Sequence, residues 1–197
     1  MSYFSRRIFL AATGASLALP GQALALNNAQ AETLVNALVS EINRVIDSGK
    51  SERAMIGDFE VIFRKYADLP YIAAYAMGVD GRRASSAQKK SFTEAFTGYV
   101  SRKYGKRFRE FIGGRLEVQG VQKVKSFYQV RTIAHLRGEA PFELDFHVSD
   151  RTGKDLFFNM YIEGINMLLT EREEIGAMLD RRKGDIDQMI TDLKKTG

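Results

Sequence analysis

Residues 128–148 read YQVRTIAHLRGEAPFELDFHV, and this stretch decides the fold because apolar and polar side chains alternate along it in two successive runs. An alternation of period two places every second side chain on the same face of a β-strand. The residues that share the apolar faces are Tyr128, Val130, Thr132 and Ala134 in the first run and Phe142, Leu144, Phe146 and Val148 in the second. The stretch therefore predicts two neighbouring strands, each with one apolar face.

The same alternation continues on both sides of this stretch, from residue 116 to residue 163. A turn at 150–153 separates the second strand from a third, and residues 116–124 are predicted to form a further strand that bends near Gly120. The inward row of the strand after the turn is predicted to be Leu156, Phe158, Met160 and Ile162. Because parallel neighbours need crossovers of a dozen or more residues, these short connections predict a twisted antiparallel sheet of about four strands.

Helical patterns flank the sheet, since apolar residues return every three or four positions over 28–112 and again from Ile165 onward. Asp68 is a predicted helix N-cap with Pro70 in the first turn, and Ser85 with Gln88 forms a predicted capping box. A sheet with one apolar face must bury that face against other elements. We therefore predict an α+β fold in which helices from both chain ends wrap the sheet, as one domain over 26–197.

Residues 1–25 have the features of an export signal that is removed from the mature chain. Two arginines, Arg6 and Arg7, precede an apolar run at 8–19, and Ala23-Leu24-Ala25 is a cleavage site of the A-x-A type. The run is shorter than the roughly 20 residues that a bilayer span needs. Ser5-Arg6-Arg7 resembles the start of a twin-arginine signal, and a general secretory signal is the alternative. Both routes predict a location outside the cytoplasm, in the periplasm.

Composition excludes several classes of function. The chain has no cysteine and only two histidines, so thiolate metal sites and cysteine nucleophiles are excluded, and no metal or other cofactor is expected. His135 and His147 alternate with inward residues and are expected to point away from the core. A formal net charge of +5 permits contact with anions, but an exported protein with so small a surplus is not expected to bind nucleic acid. No nucleotide-binding or hydrolase motif is present, and we do not expect an enzyme.

Aromatic and methionine side chains are abundant, with 13 Phe, 8 Tyr and 7 Met in a chain without Trp. Two interpretations fit this composition. The residues form an ordinary packed core, or the helices and the sheet leave an apolar cavity between them. Periodicity does not separate the two, because cavity walls and packed cores use the same residue types.

Two blocks of sequence carry a resemblance to a known family. The first is ADLPYIAAYAMG at 67–78, followed by 82–85, Gln88 and 92–96, and the second is NMYIEGINML at 159–168, followed by Arg172. Together they resemble the MlaC family of soluble periplasmic phospholipid carriers. The chain departs from the family pattern where tryptophans are usual, and Asn159 stands where the family usually has an aspartate.

The resemblance implies a shape like that of nuclear transport factor 2 and a carrier function without catalysis. It implies phospholipid as the cargo. It also implies two membrane partners, an outer-membrane lipoprotein complex and an inner-membrane ABC transporter with an MCE-domain ring. Two other classes stay open, a small-pocket enzyme of the isomerase or dehydratase type, for which Thr132 and Tyr128 are the polar inward candidates, and an interaction module without cargo.

On the carrier hypothesis, acyl chains lie between the strand rows and the helix faces. The residues predicted to contact them are Phe92, Phe96, Tyr99, Val130, Leu144, Phe146, Phe158, Met160, Ile162 and Leu168. The residues predicted to meet a phosphate head group or an acidic partner surface are Arg82, Arg83, Arg102, Lys103, Lys106 and Arg107. A solvated helix face is the alternative interpretation of this basic set.

Overall fold

The computed structural model describes residues 25–197, apart from the side chains at 108 and 109. The predicted export signal therefore lies outside the described residues, except for its last position. The helices are α1 (Asn28–Ile46), α2 (Glu52–Tyr66), α3 (Leu69–Met77), α4 (Ser86–Gly105), α5 (Phe108–Phe111), α6 (Met167–Arg181) and α7 (Ile186–Leu193), with a 3₁₀ turn at Gly78–Arg82. The strands are β1 (Arg115–Val124), β2 (Phe127–His135), β3 (Phe142–Ser149), β4 (Leu156–Ile162) and β5 (Ile165–Asn166).

The five strands form one sheet in the order β1-β2-β3-β4-β5, and every neighbouring pair is antiparallel. This arrangement confirms the predicted α+β fold with a sequential antiparallel sheet. The register of β1 against β2 shifts between Val118 and Gly120, which is the bend that the sequence predicts near Gly120. The predicted turn at 150–153 is also present, since the Gly153 N–H donates to the Asp150 carbonyl at 2.8 Å.

The fifth strand was not predicted, because Ile165 was assigned to the start of the last helical segment. Glu163 and Gly164 instead make a two-residue turn with φ of 49° and 78°. Positive φ at both positions is the geometry of the tight hairpin turn that suits twisted strands. The turn pairs Ile162 with Ile165, so α6 begins only at Met167, with Asn166 as its N-cap.

The predicted inward row of β4 is wrong at its first residue, because Leu156 is only half-buried and does not line the space between sheet and helices. A register shift between His147 and Val148 pairs Val148 with Phe157, so Phe157 joins the inward row beside Phe158. The Phe157 ring lies 5.7 Å from the ring of Phe146 and 5.9 Å from the ring of Phe63. A bulge inserts one residue into the alternation, and strict period-two reasoning fails there.

Helix boundaries follow the capping residues that the sequence indicates. The Asp68 side chain accepts a hydrogen bond from the Tyr71 N–H, Pro70 occupies the first turn of α3, and Gly78 follows its last residue. Ser85 and Gln88 form the predicted reciprocal capping box at the start of α4. These caps satisfy backbone N–H groups that a helix leaves without internal partners.

The helices cover one face of the sheet. Helix α1 packs on β1 and β2, and it is fastened to β1 by Asn43, whose side chain exchanges hydrogen bonds of 3.0 and 2.9 Å with the Leu116 carbonyl and N–H. Helices α2 and α4 pack against each other, and α3 contacts both α4 and α6. Within residues 25–197, no helix combines the length and the apolar character needed to cross a bilayer.

Candidate ligand cavity

A cavity of about 570 Å³ lies between the inner face of the sheet and the helices. This volume falls within the range of about 300 to 1,000 Å³ that is typical of sites for small molecules. The apolar residues of its sheet wall are Leu116, Leu136, Phe142, Leu144, Phe146, Phe157, Phe158, Met160, Ile162 and Ile165. The apolar residues of its helical wall are Leu38, Ile42, Phe59, Ile62, Phe63, Ile72, Phe96, Val100, Phe111, Met167 and Leu168.

The helices and the sheet therefore do not close completely on each other. Four strands contribute to one wall and six helices to the other, so the cavity follows from the whole architecture. Of the two interpretations that the composition allows, the structure favours the apolar cavity. Its interior is suited to hydrocarbon, because apolar groups that enter it lose contact with water and meet mainly apolar side chains.

Seven of the ten residues predicted to contact acyl chains line this cavity. They are Phe96, Leu144, Phe146, Phe158, Met160, Ile162 and Leu168. Phe158 also packs edge-on against other aromatic rings, with centroid distances of 5.5 Å to Tyr71 and 5.6 Å to Phe127. Whether these side chains contact a lipid stays a prediction.

The other three predicted contacts are placed elsewhere. Phe92 and Val130 are completely buried and are not among the lining residues, and Phe92 stacks on Phe96 at 5.4 Å. Tyr99 is buried and donates a hydrogen bond from its hydroxyl group to Glu174. The three belong to the same faces as the lining residues, but they lie where the elements pack tightly.

Sequence reasoning missed the contribution of α1 and α2 to the cavity. Leu38, Ile42, Ile62 and Phe63 are parts of ordinary amphipathic stripes, and nothing in the stripe shows that it faces a void. Phe157 was missed because of the bulge in β4.

Most of the predicted basic set makes contacts within the chain. Arg102 donates to the carbonyls of Leu193 and Thr196, and Lys106 donates to the Gly197 carbonyl. These bonds hold the segment around α7 against α4. They do not place either side chain in the cavity wall.

Arg83 and Lys103 also have partners within the described part of the chain. Arg83 pairs with Asp80 at 2.9 Å and donates to the Gly184 carbonyl, while Arg82 is exposed in the 3₁₀ turn. Arg107 is the one member of the basic set that lines the cavity. Most of the basic residues that the sequence suggested for head-group contact therefore form hydrogen bonds or ion pairs with other parts of the chain.

A polar network joins α4 to α6 beside the cavity. Lys103 Nζ lies 2.8 Å from Glu171 Oε1 and 2.7 Å from Glu174 Oε2, and Tyr104 also donates to Glu171 Oε1. Burial raises the pKa of the Tyr99 and Tyr104 hydroxyls, and the neighbouring carboxylates raise it further. Both tyrosines are therefore neutral donors. Burial would raise the pKa of Glu174, but the hydrogen bonds from Lys103 and Tyr99 outweigh it and lower that pKa.

Charged residues gather where the cavity meets solvent. Arg107, Glu110, Glu139 and Glu163 line it there, and all four are exposed. Arg107 Nε lies 3.2 Å from Glu110 Oε2, so the guanidinium already has an acidic partner. We call these four residues the mouth of the cavity.

The groups considered for catalysis do not converge on the cavity. The Tyr128 hydroxyl donates to the Leu26 carbonyl, and neither Tyr128 nor Thr132 is among the lining residues. The His147 ring lies 4.4 Å from Phe127 and 4.9 Å from Tyr161, and burial lowers its pKa. Over residues 25–197 there is no group of three or more acidic or histidine side chains that could hold a metal ion.

The fold and the site together define a class of protein in which an antiparallel sheet and its helices enclose an open apolar cavity with a charged mouth. A family model described as MlaC protein matches residues 32–195. The chain therefore belongs to the MlaC family. This result confirms the resemblance that the two sequence blocks indicate.

One similar solved structure is the phospholipid-binding protein from Ralstonia solanacearum in complex with a phospholipid. The two chains share 17% sequence identity with a TM-score of 0.69, and the match covers 83% of this chain and 98% of that one. At this level of identity the likeness establishes the fold, which agrees with the predicted architecture.

Proposed function

We propose that this protein is a periplasmic carrier that shelters the acyl chains of a phospholipid in the cavity between sheet and helices. The observation that carries the proposal is the cavity of about 570 Å³, whose walls are mainly apolar. Family membership and the phospholipid bound by the structural relative support it.

The energetics of acyl chains explain why such a cavity is useful. Each CH₂ group buried away from water contributes about 0.8 kcal/mol, so a lipid does not cross an aqueous compartment without shelter. Acyl chains have about the same free energy inside an apolar cavity as in a bilayer. The free energy of transfer between membrane and carrier is therefore close to zero, and partner proteins have to set the direction of transfer.

The proposed partners and location follow from the family and from the predicted export signal at 1–25. We infer that the protein exchanges phospholipid with an outer-membrane lipoprotein complex and with an inner-membrane ABC transporter that carries an MCE-domain ring. Arg82 and Arg83, exposed on the surface, are proposed to contact an acidic partner surface. The carrier function needs no catalytic group.

Within the cavity, the proposed acyl contacts are the central strands and the two helices that face them. Phe146 on β3 pairs with Met160 on β4, and Leu144 pairs with Ile162. Phe96 and Leu168 line the helical wall. The head group stays at the mouth, where the lining changes from apolar to charged.

The test reduces the volume of the cavity by placing larger side chains on its sheet wall. Leu144→Trp and Met160→Trp each add bulk to a lining position, and Ile133→Trp adds the same bulk at a position outside the lining, on the neighbouring strand β2. Phospholipid that co-purifies with each protein is extracted and quantified, and far-ultraviolet dichroism checks the fold, because overpacking costs about 1–3 kcal/mol. We expect at least a tenfold loss of lipid in the first two variants and none in the third. Full lipid occupancy in both filled variants would contradict the proposal.

A further inference from the structure

The chain passes from exposed to buried at the peptide bond between Ala25 and Leu26. Ala25 is exposed, whereas Leu26 is only 6% exposed. Asn27 follows as the N-cap of α1, so Leu26 occupies the position before the cap. An apolar side chain at this position often fixes the direction in which the chain enters a helix. The change from exposed to buried thus coincides with the cleavage point that the sequence predicts after Ala25.

Side chains from distant parts of the chain hold both backbone polar groups of Leu26. Its N–H donates to Asp150 Oδ2 at 3.0 Å, and its carbonyl accepts from the Tyr128 hydroxyl at 2.8 Å. Tyr128 lies on β2, and Asp150 directly follows β3. Together with the burial of its side chain, these two bonds fix Leu26 against the sheet.

The turn after β3 positions Asp150 for this contact. Its carbonyl accepts from the Gly153 N–H at 2.8 Å, which closes the turn. The guanidinium of the next residue, Arg151, lies 4.5 Å from the centre of the Phe158 ring. Burial raises the pKa of Asp155, and the negative charge of Asp150 raises it further. A cation beside Asp150 would therefore stabilise the ionised forms of two carboxyl groups.

We propose that a processing peptidase cleaves the bond between Ala25 and Leu26, and that the new ammonium group of Leu26 docks on Asp150 as the N-terminus of the mature protein. The peptidase is of the class that recognises small residues, here Ala23 and Ala25. Water adds across the amide bond and yields the Ala25 carboxylate and the Leu26 ammonium. The hydrogen bond from this nitrogen to Asp150 thereby becomes an ion pair, which is the stronger interaction.

The surroundings of Leu26 suit a charged N-terminus. Because Ala25 is exposed, its removal leaves the remaining N–H groups of the ammonium facing solvent, where water satisfies them. The macrodipole of α1 disfavours a positive charge near its first turn, and the Asp150 carboxylate compensates for this effect. The inference is independent of the proposed cargo, since Leu26, Tyr128 and Asp150 do not line the cavity.

The first measurement identifies the N-terminus. The full chain is expressed in a bacterium that exports it, and the protein recovered from the periplasm is analysed by N-terminal sequencing and intact mass. We expect Leu26 as the first residue of the exported protein. A first residue at any other position would overturn the proposal, because the ammonium group would then not lie at Asp150.

The second measurement tests the ion pair through the reactivity of the α-amine. The exported protein is treated briefly with acetic anhydride at pH 7, and acetylation of its N-terminal peptide is followed by mass spectrometry. Only the unprotonated amine reacts, so an ion pair that stabilises the ammonium form slows the reaction. We expect acetylation to be about fivefold slower in the wild type than in Asp150→Asn, the size expected for a pair with an exposed carboxylate. The asparagine side chain retains an oxygen acceptor and loses the charge.

Two references complete the test. Glu173→Gln removes an exposed carboxylate on α6 and should react at the wild-type rate. A synthetic peptide with the sequence of residues 26–35 gives the rate of the same amine without the fold, and it should also react about fivefold faster than the wild type, whether or not Asp150→Asn folds. Equal rates in the wild type and the peptide, equal rates in the wild type and Asp150→Asn, or equal acceleration in both variants would overturn the docking of the N-terminus on Asp150.

Discussion

The guanidinium group of Arg172 packs directly against the backbone of Gly78, where a side chain would otherwise be. A β-carbon on Gly78 would lie 3.1 Å from Arg172 Nε, and the Arg172 guanidinium also lies 5.3 Å from the centre of the Tyr75 ring. Gly78 has φ of +58°, a conformation that glycine adopts without steric cost. The C-terminal end of α3 and one face of α6 are therefore in close contact through Gly78 and Arg172.

The first prediction follows from this contact. Gly78→Ala should destabilise the protein by about 1–3 kcal/mol, because it combines an unfavourable φ with crowding of Arg172. The control is Gly81→Ala in the same 3₁₀ turn, where the added carbon would meet Met77 Cβ at an ordinary 3.4 Å. Urea unfolding measures both. Equal effects of the two substitutions would show that the Arg172 contact and the backbone conformation of Gly78 do not matter.

A second prediction concerns Asp68, which joins three parts of the fold. Its N–H donates to the Phe157 carbonyl at 2.8 Å, its Oδ1 accepts from the Tyr71 N–H, and its Oδ2 accepts from the Thr152 hydroxyl at 3.1 Å. Asp68→Ala removes the acceptor of the Tyr71 N–H and of the Thr152 hydroxyl, so the free energy of unfolding should fall by about 2 kcal/mol.

Asp68→Asn is the matched variant, since its amide oxygen can still cap α3. We expect it to lose less than half as much stability as Asp68→Ala in the same denaturant titration. A loss as large in the asparagine variant would assign the effect to the negative charge and not to the cap.

The third prediction is a pH dependence that arises from His147. Burial lowers the pKa of its imidazole in the folded state below the ordinary 6.5, although nearby Asp145 opposes the shift. Between the two pKa values the unfolded chain binds a proton that the folded chain does not, and stability therefore falls as the pH decreases below about 6.5. His147→Phe keeps an aromatic ring beside Phe127 and Tyr161 and removes the titration. Its unfolding free energy should change less between pH 7 and pH 5 than that of the wild type, and identical slopes would contradict this origin.

The fourth prediction tests the bulge in β4. Phe157 packs on Phe63 and Phe146 and lines the cavity, so Phe157→Ala should cost about 3–4 kcal/mol of stability. The neighbouring Leu156 is only half-buried, and Leu156→Ala should cost about 1 kcal/mol. If strict alternation from Met160 were correct, the two costs would be reversed.

Much of the fold could be predicted because local chemistry and tertiary structure agree. The capping residues Asp68 and Ser85 mark helix starts, and the alternation around Val130 and Phe146 marks strands, since each signal acts within a few residues of the chain. The bend at Gly120 was also predictable, because a glycine interrupts the apolar alternation there.

The remainder depends on long-range packing. The bulge beside Val148 and the hairpin at Glu163 depend on how β4 pairs with its neighbouring strands. Glu163 has φ of 49°, and because it is not a glycine the sequence does not indicate a turn there. The same limit applies to the cavity. Phe92 and Phe96 lie on one face of α4 a single turn apart, yet only Phe96 lines the void, and only the positions of the other helices decide which one does.

Native mass spectrometry of the protein purified from a bacterial periplasm is the decisive test of phospholipid binding. We expect a protein mass shifted by that of a phospholipid, with the same lipid recovered by organic extraction, and loss of that shift in Leu144→Trp but not in Ile133→Trp. Wild-type protein that carries only its own mass in every preparation, with no lipid in the extract, would show that the apolar cavity does not carry phospholipid.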